Sequence, residues 1–236
     1  MARHSDEINM NIRLTPRILQ IVPALIVLPF VACAQTGDAE WEVLFDGETL
    51  DGWKAFRDAT PPEGWQVVDG AITRVGGGGD LVSVAQYGDF ELRLEWNISE
   101  GGNSGIMYRV DPNANRTFES GAEMQVLDDV NHPDGQYRLT SAGANYGLHA
   151  STEGAVRPPG EWNEVRIIAN GAHIEYWLNG TKVVEYEAWS PGWEELVASS
   201  KFVEWPGYGR AERGHIVFQD HGDWVAYRNI KIKEFD

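Results

Sequence analysis

From Trp41 to the C-terminus, apolar residues recur mainly at every second position, a period that leaves little room for a helical core. Phe90-Glu91-Leu92-Arg93-Leu94-Glu95-Trp96 alternates without a break, as a strand with one buried face should. Ile174, Tyr176 and Leu178 alternate with His173, Glu175 and Trp177. Asn179-Gly180 then marks a tight hairpin before Lys182-Val183-Val184-Glu185-Tyr186. Asp69-Gly70 and Asn170-Gly171 do the same between other strand pairs. About a dozen candidate strands with turn signals at short intervals predict an all-β sandwich of two antiparallel sheets. In the last strand Val225 and Tyr227 share one parity while Ile230 and Ile232 share the other, so a bulge is expected near Arg228-Asn229. Only Trp193–Ser200 reads as helical. It lies within a segment, Ala188–Arg213, that interrupts the strand rhythm and is expected to cross an edge of the sandwich or the mouth of its cleft.

Charge and cysteine usage narrow the function classes. Lys plus Arg number 19 against 36 Asp plus Glu, a formal charge of −17. Nucleic-acid binding needs a basic surface to displace counterions, so this chain is not expected to bind it. Residues 1–32 carry Arg3, Arg13 and Arg17 against Asp6 and Glu7, so the acidity belongs to the rest. Ile18 to Ala32 is an apolar run broken by Gln20, Pro23 and Pro29, too short to span a membrane comfortably. Arginines precede it and small residues follow it, the layout of a secretory signal, cleaner still if translation starts at Met10. The only cysteine, Cys33, falls where a bacterial lipoprotein is cleaved and acylated, while Ala32-Cys33-Ala34 also suits ordinary signal peptidase. The expected organisation is a removed leader (1–34), a short linker (35–40) and one β-sandwich domain (41–236). The chain is expected to be exported, to the periplasm or to the outer membrane as a lipoprotein, touching membrane only through a lipid on Cys33. One cysteine excludes a disulfide framework and a cysteine-based zinc site.

Strand parity then sorts the polar residues. In Ser104-Gly105-Ile106-Met107-Tyr108-Arg109 the inward residues are Ile106 and Tyr108, leaving Arg109 on the other face with Gly105 and Met107. Met124 and Val126 look inward, so Glu123 and Gln125 face the other way. Ile216 and Phe218 do the same for Gln219, and His221 follows at the strand end. If these strands are neighbours, Arg109, Glu123, Gln125, Gln219 and His221 share one polar face. Such a set is common as a solvated sheet face with cross-strand ion pairs. A cation, a carboxylate, two amides and an imidazole also suit a polyol ligand, with Glu123 or His221 as a proton-transfer group. Trp96 and Trp162 read as core anchors. Trp177 shares the parity of Glu175 and is expected to offer an aromatic face to the cleft, while Trp193 and Trp205 lie in the long excursion. The oxygen-rich loop Asp128–Gly135 does not have EF-hand spacing. No His-Glu-x-x-His and no Gly-x-Ser-x-Gly occurs. Gly76-Gly77-Gly78-Gly79 lacks the Lys-Ser/Thr pair and following helix of a phosphate loop.

An ordered set of segments carries a family resemblance. Leu44-Phe45-Asp46-Gly47 and Leu50-Asp51-Gly52-Trp53 open the domain, then Asn103-Ser104-Gly105-Ile106 leads to Arg109 and Glu123-Met124-Gln125-Val126-Leu127-Asp128 follows. Gly160-Glu161-Trp162-Asn163, Trp177-Leu178-Asn179-Gly180, Gln219-Asp220-His221-Gly222 and Tyr227-Arg228-Asn229-Ile230-Lys231-Ile232 complete it. The set resembles the bacterial 3-keto-disaccharide hydrolase family over nearly all of Trp41–Phe235. The resemblance implies a concanavalin A-like jelly roll with its ligand on the concave sheet, and a carbohydrate substrate already oxidised at C3. Such a substrate leaves room for an upstream sugar oxidoreductase as a partner, which the sequence does not decide. On that footing Arg109 suits the enolate oxygen, Glu123 or His221 the base, Gln125 and Gln219 the sugar hydroxyls, and Trp177 a sugar face. No cofactor is required by this reading, though a divalent metal could share Arg109's role. Two other classes fit the same pattern: a lectin-like binding module, and a conventional glycoside hydrolase with two carboxylates.

Overall fold

A computed structural model describes Met1 and residues 40–235. The leader and lipidation readings, Cys33 included, lie outside the described residues. Among those described, thirteen strands follow in chain order. The first five are β1 (Glu42–Val43), β2 (Trp53–Ala55), β3 (Trp65–Val68), β4 (Ala71–Arg74) and β5 (Leu81–Tyr87). Then come β6 (Phe90–Ile98), β7 (Asn103–Val110), β8 (Ala122–Leu127) and β9 (Asn163–Asn170). The last four are β10 (His173–Leu178), β11 (Thr181–Glu187), β12 (Gly214–Phe218) and β13 (Val225–Glu234), with one helix, α1 (Pro191–Ala198), before β12. One sheet runs β11-β10-β9-β6-β13-β4-β3 with β1 beside β13, and the other runs β2-β5-β12-β7-β8. Every pairing is antiparallel.

The expected turns are present for the expected reason. Asn179 and Gly180 both take positive φ (49° and 81°), as do Asp69 and Gly70 (51° and 74°), which matches the twist of the strands they join. The register of β13 against β6 shifts between Arg228 and Lys231, and Asn229 has φ 53°, so the expected bulge lies where the parity breaks.

The inner faces of the two sheets bury Leu92, Leu94, Trp96, Ile106, Met124, Val126, Ile167, Tyr176, Phe218 and Tyr227 in one cluster. Each such side chain contributes roughly 1.5–3 kcal/mol on leaving water. Phe218 of the smaller sheet stacks on Tyr227 of the larger, with centroids 4.0 Å apart. The tyrosine hydroxyls satisfy one another between the sheets. Tyr108 Oη lies 2.9 Å from Tyr176 Oη and 2.8 Å from Tyr186 Oη, so three buried phenols avoid the cost of unmet polar groups. Trp162 is not a core anchor: it lies half-buried, with the Arg228 guanidinium 3.9 Å above its ring.

Candidate active site

β12, β7 and β8 are consecutive in the five-stranded sheet. Their inward residues join the core, so their alternate residues point to the outer face. There Met107, Val82, Val110 and Val217 form a small second cluster with Phe56 and Phe118 against it. Beside this cluster lies a cleft of about 170 Å³. Its sheet-borne lining comes from Asn103, Glu123, Gln125 and Gln219, with His221 just past β12. Across from them stand Tyr146, Lys201, Phe202, Trp205 and Tyr208, four of the five from the excursion between β11 and β12.

Glu123 is the one carboxylate among the described residues lining the cleft. It is 8% exposed, and its carboxyl makes no hydrogen bond to another described residue. Burial pushes its pKa up to about 8, Asp80 pushes the same way, and the Lys201 ammonium opposes them. Space for the carboxyl comes from the neighbouring strand. Gly105 pairs with Gln125, and a Cβ on Gly105 would overlap the Glu123 carboxyl. Asp80 is spoken for: Thr117 Oγ1 and the Asp220 N–H donate to its two oxygens, and burial raises its pKa too.

Backbone and loop contacts hold the other polar groups in place. The Gln219 N–H donates to Gly105 O at 3.0 Å, and Ser104 Oγ donates to Gln219 O at 2.8 Å. Asp220 pairs with Arg74 and accepts from the Gly79 N–H, while Asp223 accepts from the Asn103 N–H at 3.0 Å. The loop carrying His221 is therefore tied to two strand ends, with His221 exposed at the cleft rim. Gln125 is 1% exposed and reaches toward Asn103 Oδ1, 3.4 Å from its Nε2. Lys201 Nζ sits 4.3 Å over the Tyr146 ring.

Thus Glu123, Gln125, Gln219 and His221 come together as the strand parity predicts. Arg109 does not join them. Opposite Ile216 the β7 strand carries one extra residue: His215 pairs with Val110, but Val217 pairs with Met107. Arg109 takes φ 50° in this bulge, which reverses its side-chain direction relative to Met107. Its guanidinium donates to Gly88 O (2.9 Å), Gly171 O (2.9 Å) and Asp89 Oδ1 (2.8 Å), stitching two strand connections together. Trp177 is also elsewhere. It lies on the outer face of the larger sheet, donates to Glu175 Oε2 at 2.7 Å, and is flanked by Arg166 and Lys182.

Sequence reasoning misses Lys201, Tyr146, Phe202 and Tyr208 as lining residues. For Lys201, Phe202 and Tyr208 the available signal is the broken strand rhythm of Ala188–Arg213, which marks the excursion without showing which of its side chains turn inward; Tyr146, between β8 and β9, has none. Asp128 and Asp129 serve the backbone, accepting from the N–H groups of Gly101, Val130 and Ala142. Among the described residues, His173, Glu175 and Glu185 lie close enough to share a cation, on the larger sheet, but Lys182 already bridges the two carboxylates. A larger groove of about 470 Å³ along β6, β9 and β13 is lined by Arg93, Glu95, Glu164 and Lys231. Glu95 there is paired with Arg228, and Glu164 is exposed and near Arg157, so neither is a buried, isolated carboxyl like Glu123.

The sequence profile of a family described as a 3-keto-alpha-glucoside-1,2-lyase-like domain matches residues 40–233. A 3-keto-disaccharide hydrolase of Bacteroides thetaiotaomicron is 34% identical, with 82% of this chain and 78% of that protein covered. Among solved structures, a candidate glycosyl hydrolase from Parabacteroides distasonis superposes with a TM-score of 0.76 at 36% identity, covering 83% of this chain and 94% of that one. A second from the same organism gives 0.65 at 28% identity, covering 83% of this chain and all of the other (100%).

Proposed function

This chain belongs to the 3-keto-alpha-glucoside-1,2-lyase-like family, and from that membership we propose that it hydrolyses the glycosidic bond of 3-keto disaccharides in the cleft around Glu123. A ketone at C3 acidifies the proton on C2. A base can remove that proton, the C1 substituent can then leave by elimination, and water adds back to the unsaturated ketone. The sum is hydrolysis. One observation carries the reading: the buried Glu123 carboxyl lines the cleft without a hydrogen bond to another described residue, and burial pushes its pKa up to about 8. A base works best when its pKa lies near the operating pH. Glu123 takes the C2 proton, Gln125, Gln219 and Asn103 hold sugar hydroxyls, and His221 at the rim orients the substrate or protonates the leaving oxygen.

The competing classes separate on simple outcomes. A conventional glycosidase would need a second carboxylate at the cleft, and Asp80, the acid nearest in electrostatic effect, is already committed to Thr117 and the Asp220 N–H. A lectin would bind sugar with no product. The test is the purified mature protein with a 3-keto glucoside, following ultraviolet absorbance of the unsaturated ketone and release of the aglycone. Glu123→Gln should retain substrate binding and lose C2 proton exchange in deuterated water. Saturable binding without product in the parent protein would select the lectin instead. Substrate with a C3 ketone must come from a sugar oxidoreductase, which we take as the upstream partner. Export, with Arg13 and Arg17 ahead of the apolar run and Cys33 behind it, is part of the same proposal.

A further inference from the structure

Removing the C2 proton places negative charge on the C3 oxygen, and a preorganised donor or cation must meet it. Arg109 is spent on Gly88, Gly171 and Asp89. Among the described residues lining the cleft, Lys201 is the one lysine or arginine. It is exposed and makes no ion pair with a described residue. Its ammonium rests on aromatic faces instead, with Nζ 4.3 Å from the centre of the Tyr146 ring and 5.3 Å from that of Phe202. Both rings line the same cleft. A ligand entering there meets a cation that no protein carboxylate has neutralised.

The supports of that ammonium tie it to Glu123. The Tyr146 N–H donates to Glu123 O at 3.0 Å, so one ring beneath the ammonium is anchored on the backbone of the proposed base. Phe202 is buried, stacks on Tyr208 with centroids 3.9 Å apart, and packs against Gly147 beside Tyr146. On the other side of Lys201, Ser200 Oγ accepts from the Phe202 N–H at 3.1 Å and donates to Val197 O at 2.9 Å. The backbone carrying Lys201 is therefore fixed from both directions. The electrostatics agree with this placement: the Lys201 charge opposes the effect of burial on the Glu123 carboxyl, as two groups facing one poorly solvated space should.

Resting on the reading of this cleft as a 3-keto-glycoside site, we propose that Lys201 is a catalytic residue whose ammonium meets the C3 oxygen as the enolate forms. The C2–H bond breaks toward Glu123, and its electron pair forms the C2–C3 double bond while the carbonyl pair moves onto oxygen. The ammonium donates a hydrogen bond there and transfers no proton. Collapse of the enolate restores C3=O and forms C1=C2 as the C1–O bond breaks. The departing oxygen takes a proton from Glu123 or His221, and water then adds across C1=C2. The leaving oxygen is thus neutralised by a transferred proton. The C3 oxygen carries its charge until collapse, and it is the place where a cation that transfers nothing helps most.

Lys201→Met keeps the aliphatic stem and removes the charge. Because the change also frees the Glu123 pKa to rise, the two proteins are compared on the plateau above the kinetic limb, where the base is ionised in both. There turnover of a 3-keto glycoside should fall about 10²–10³-fold, with C2 exchange in deuterated water slowing in parallel. KM should stay within a few-fold of the parent and the thermal midpoint should not change. Lys201→Arg, which keeps a cation, should recover most of the loss. Parent-like plateau turnover in Lys201→Met, with Glu123→Gln inactive, would overturn the enolate role and leave the reading of the cleft intact. Parent-like C2 exchange with slowed aglycone release would overturn it too, by moving the ammonium to the leaving oxygen. No turnover or exchange by the parent protein with any 3-keto glycoside would sink both readings.

Discussion

Glu123 is a carboxyl whose proton the folded chain binds more tightly than the unfolded one, and two pH dependences of opposite sign follow. Its pKa rises from 4.5 to about 8 on folding. The associated stability is fully present below about pH 4.5 and is lost as pH rises through about 8, with an upper bound on the order of 3–5 kcal/mol. The base form gains over the same interval, so kcat/KM should climb with pH and level off above about 8. Lys201 pulls the pKa down, and Lys201→Met should therefore move the kinetic limb to higher pH. A pH profile of both proteins, set beside thermal midpoints of the parent and Glu123→Gln from pH 5.5 to 8.5, measures the two effects separately. The same side chain gives a steric prediction. A Cβ at residue 105 would overlap Glu123 Oε1, Cδ and Cγ, so this buried side chain would have to swing away from its place. Gly105→Ala should thus destabilise by about 1–3 kcal/mol in urea unfolding and lose about 100-fold in turnover per folded molecule, because a displacement near 1 Å costs that much at a reacting group.

At the scale of elements, the bulge in β7 separates what parity can read from what it cannot. Glu123, Gln125 and Gln219 lie in regular stretches, where the two-residue period decides the face. Arg109 lies one residue into an irregularity that leaves no trace in the sequence, because an ordinary non-glycine residue takes the positive φ there. The consequence is testable. Arg109→Ala removes donors from two carbonyls and from Asp89, and should destabilise by about 2–4 kcal/mol, while turnover per folded molecule stays near that of the parent. Urea unfolding together with active-site titration checks both halves. A loss of 10²-fold or more in folded protein would return Arg109 to the chemistry. The β13 bulge was legible because apolar residues on both sides of it betray the change of phase. Trp162 and Trp177 escape a sequence reading for a related reason: a half-buried aromatic outside the core, covered by arginine or lysine, looks like a core or cleft residue in sequence. Tyr208 and Lys201 were beyond reach, since only tertiary packing of the excursion turns them toward β8.

For the whole molecule, the larger sheet is a platform and the smaller sheet bears the cleft proposed as the active site. The larger sheet's outer face is covered by paired charges, among them Arg228 with Glu95, Arg166 with Glu91 and Lys182 with Glu185. Exposed pairs of this kind add little stability each, but they keep a broad β surface soluble and without an apolar patch. The proposed export bears on where the molecule would work. A 3-keto disaccharide is a small polar substrate, which an enzyme outside the cytoplasm would meet before uptake. The leader signals at Arg13, Arg17 and Cys33 predict a mature chain that begins at Cys33 carrying a diacylglyceryl group, or at Gln35 if ordinary signal peptidase cuts instead. Intact-mass spectrometry on protein from the native envelope separates the two, because the lipid adds several hundred daltons and the alternative removes Cys33. If Cys33 carries the lipid, Cys33→Ser should prevent acylation and shift the protein toward the soluble fraction without changing turnover, since the described residues lining the cleft fall within 103–221. A chain found in the cytosol with Met1 or Met10 still in place would contradict export, and the source of its 3-keto substrate would then have to be an oxidation inside the cell.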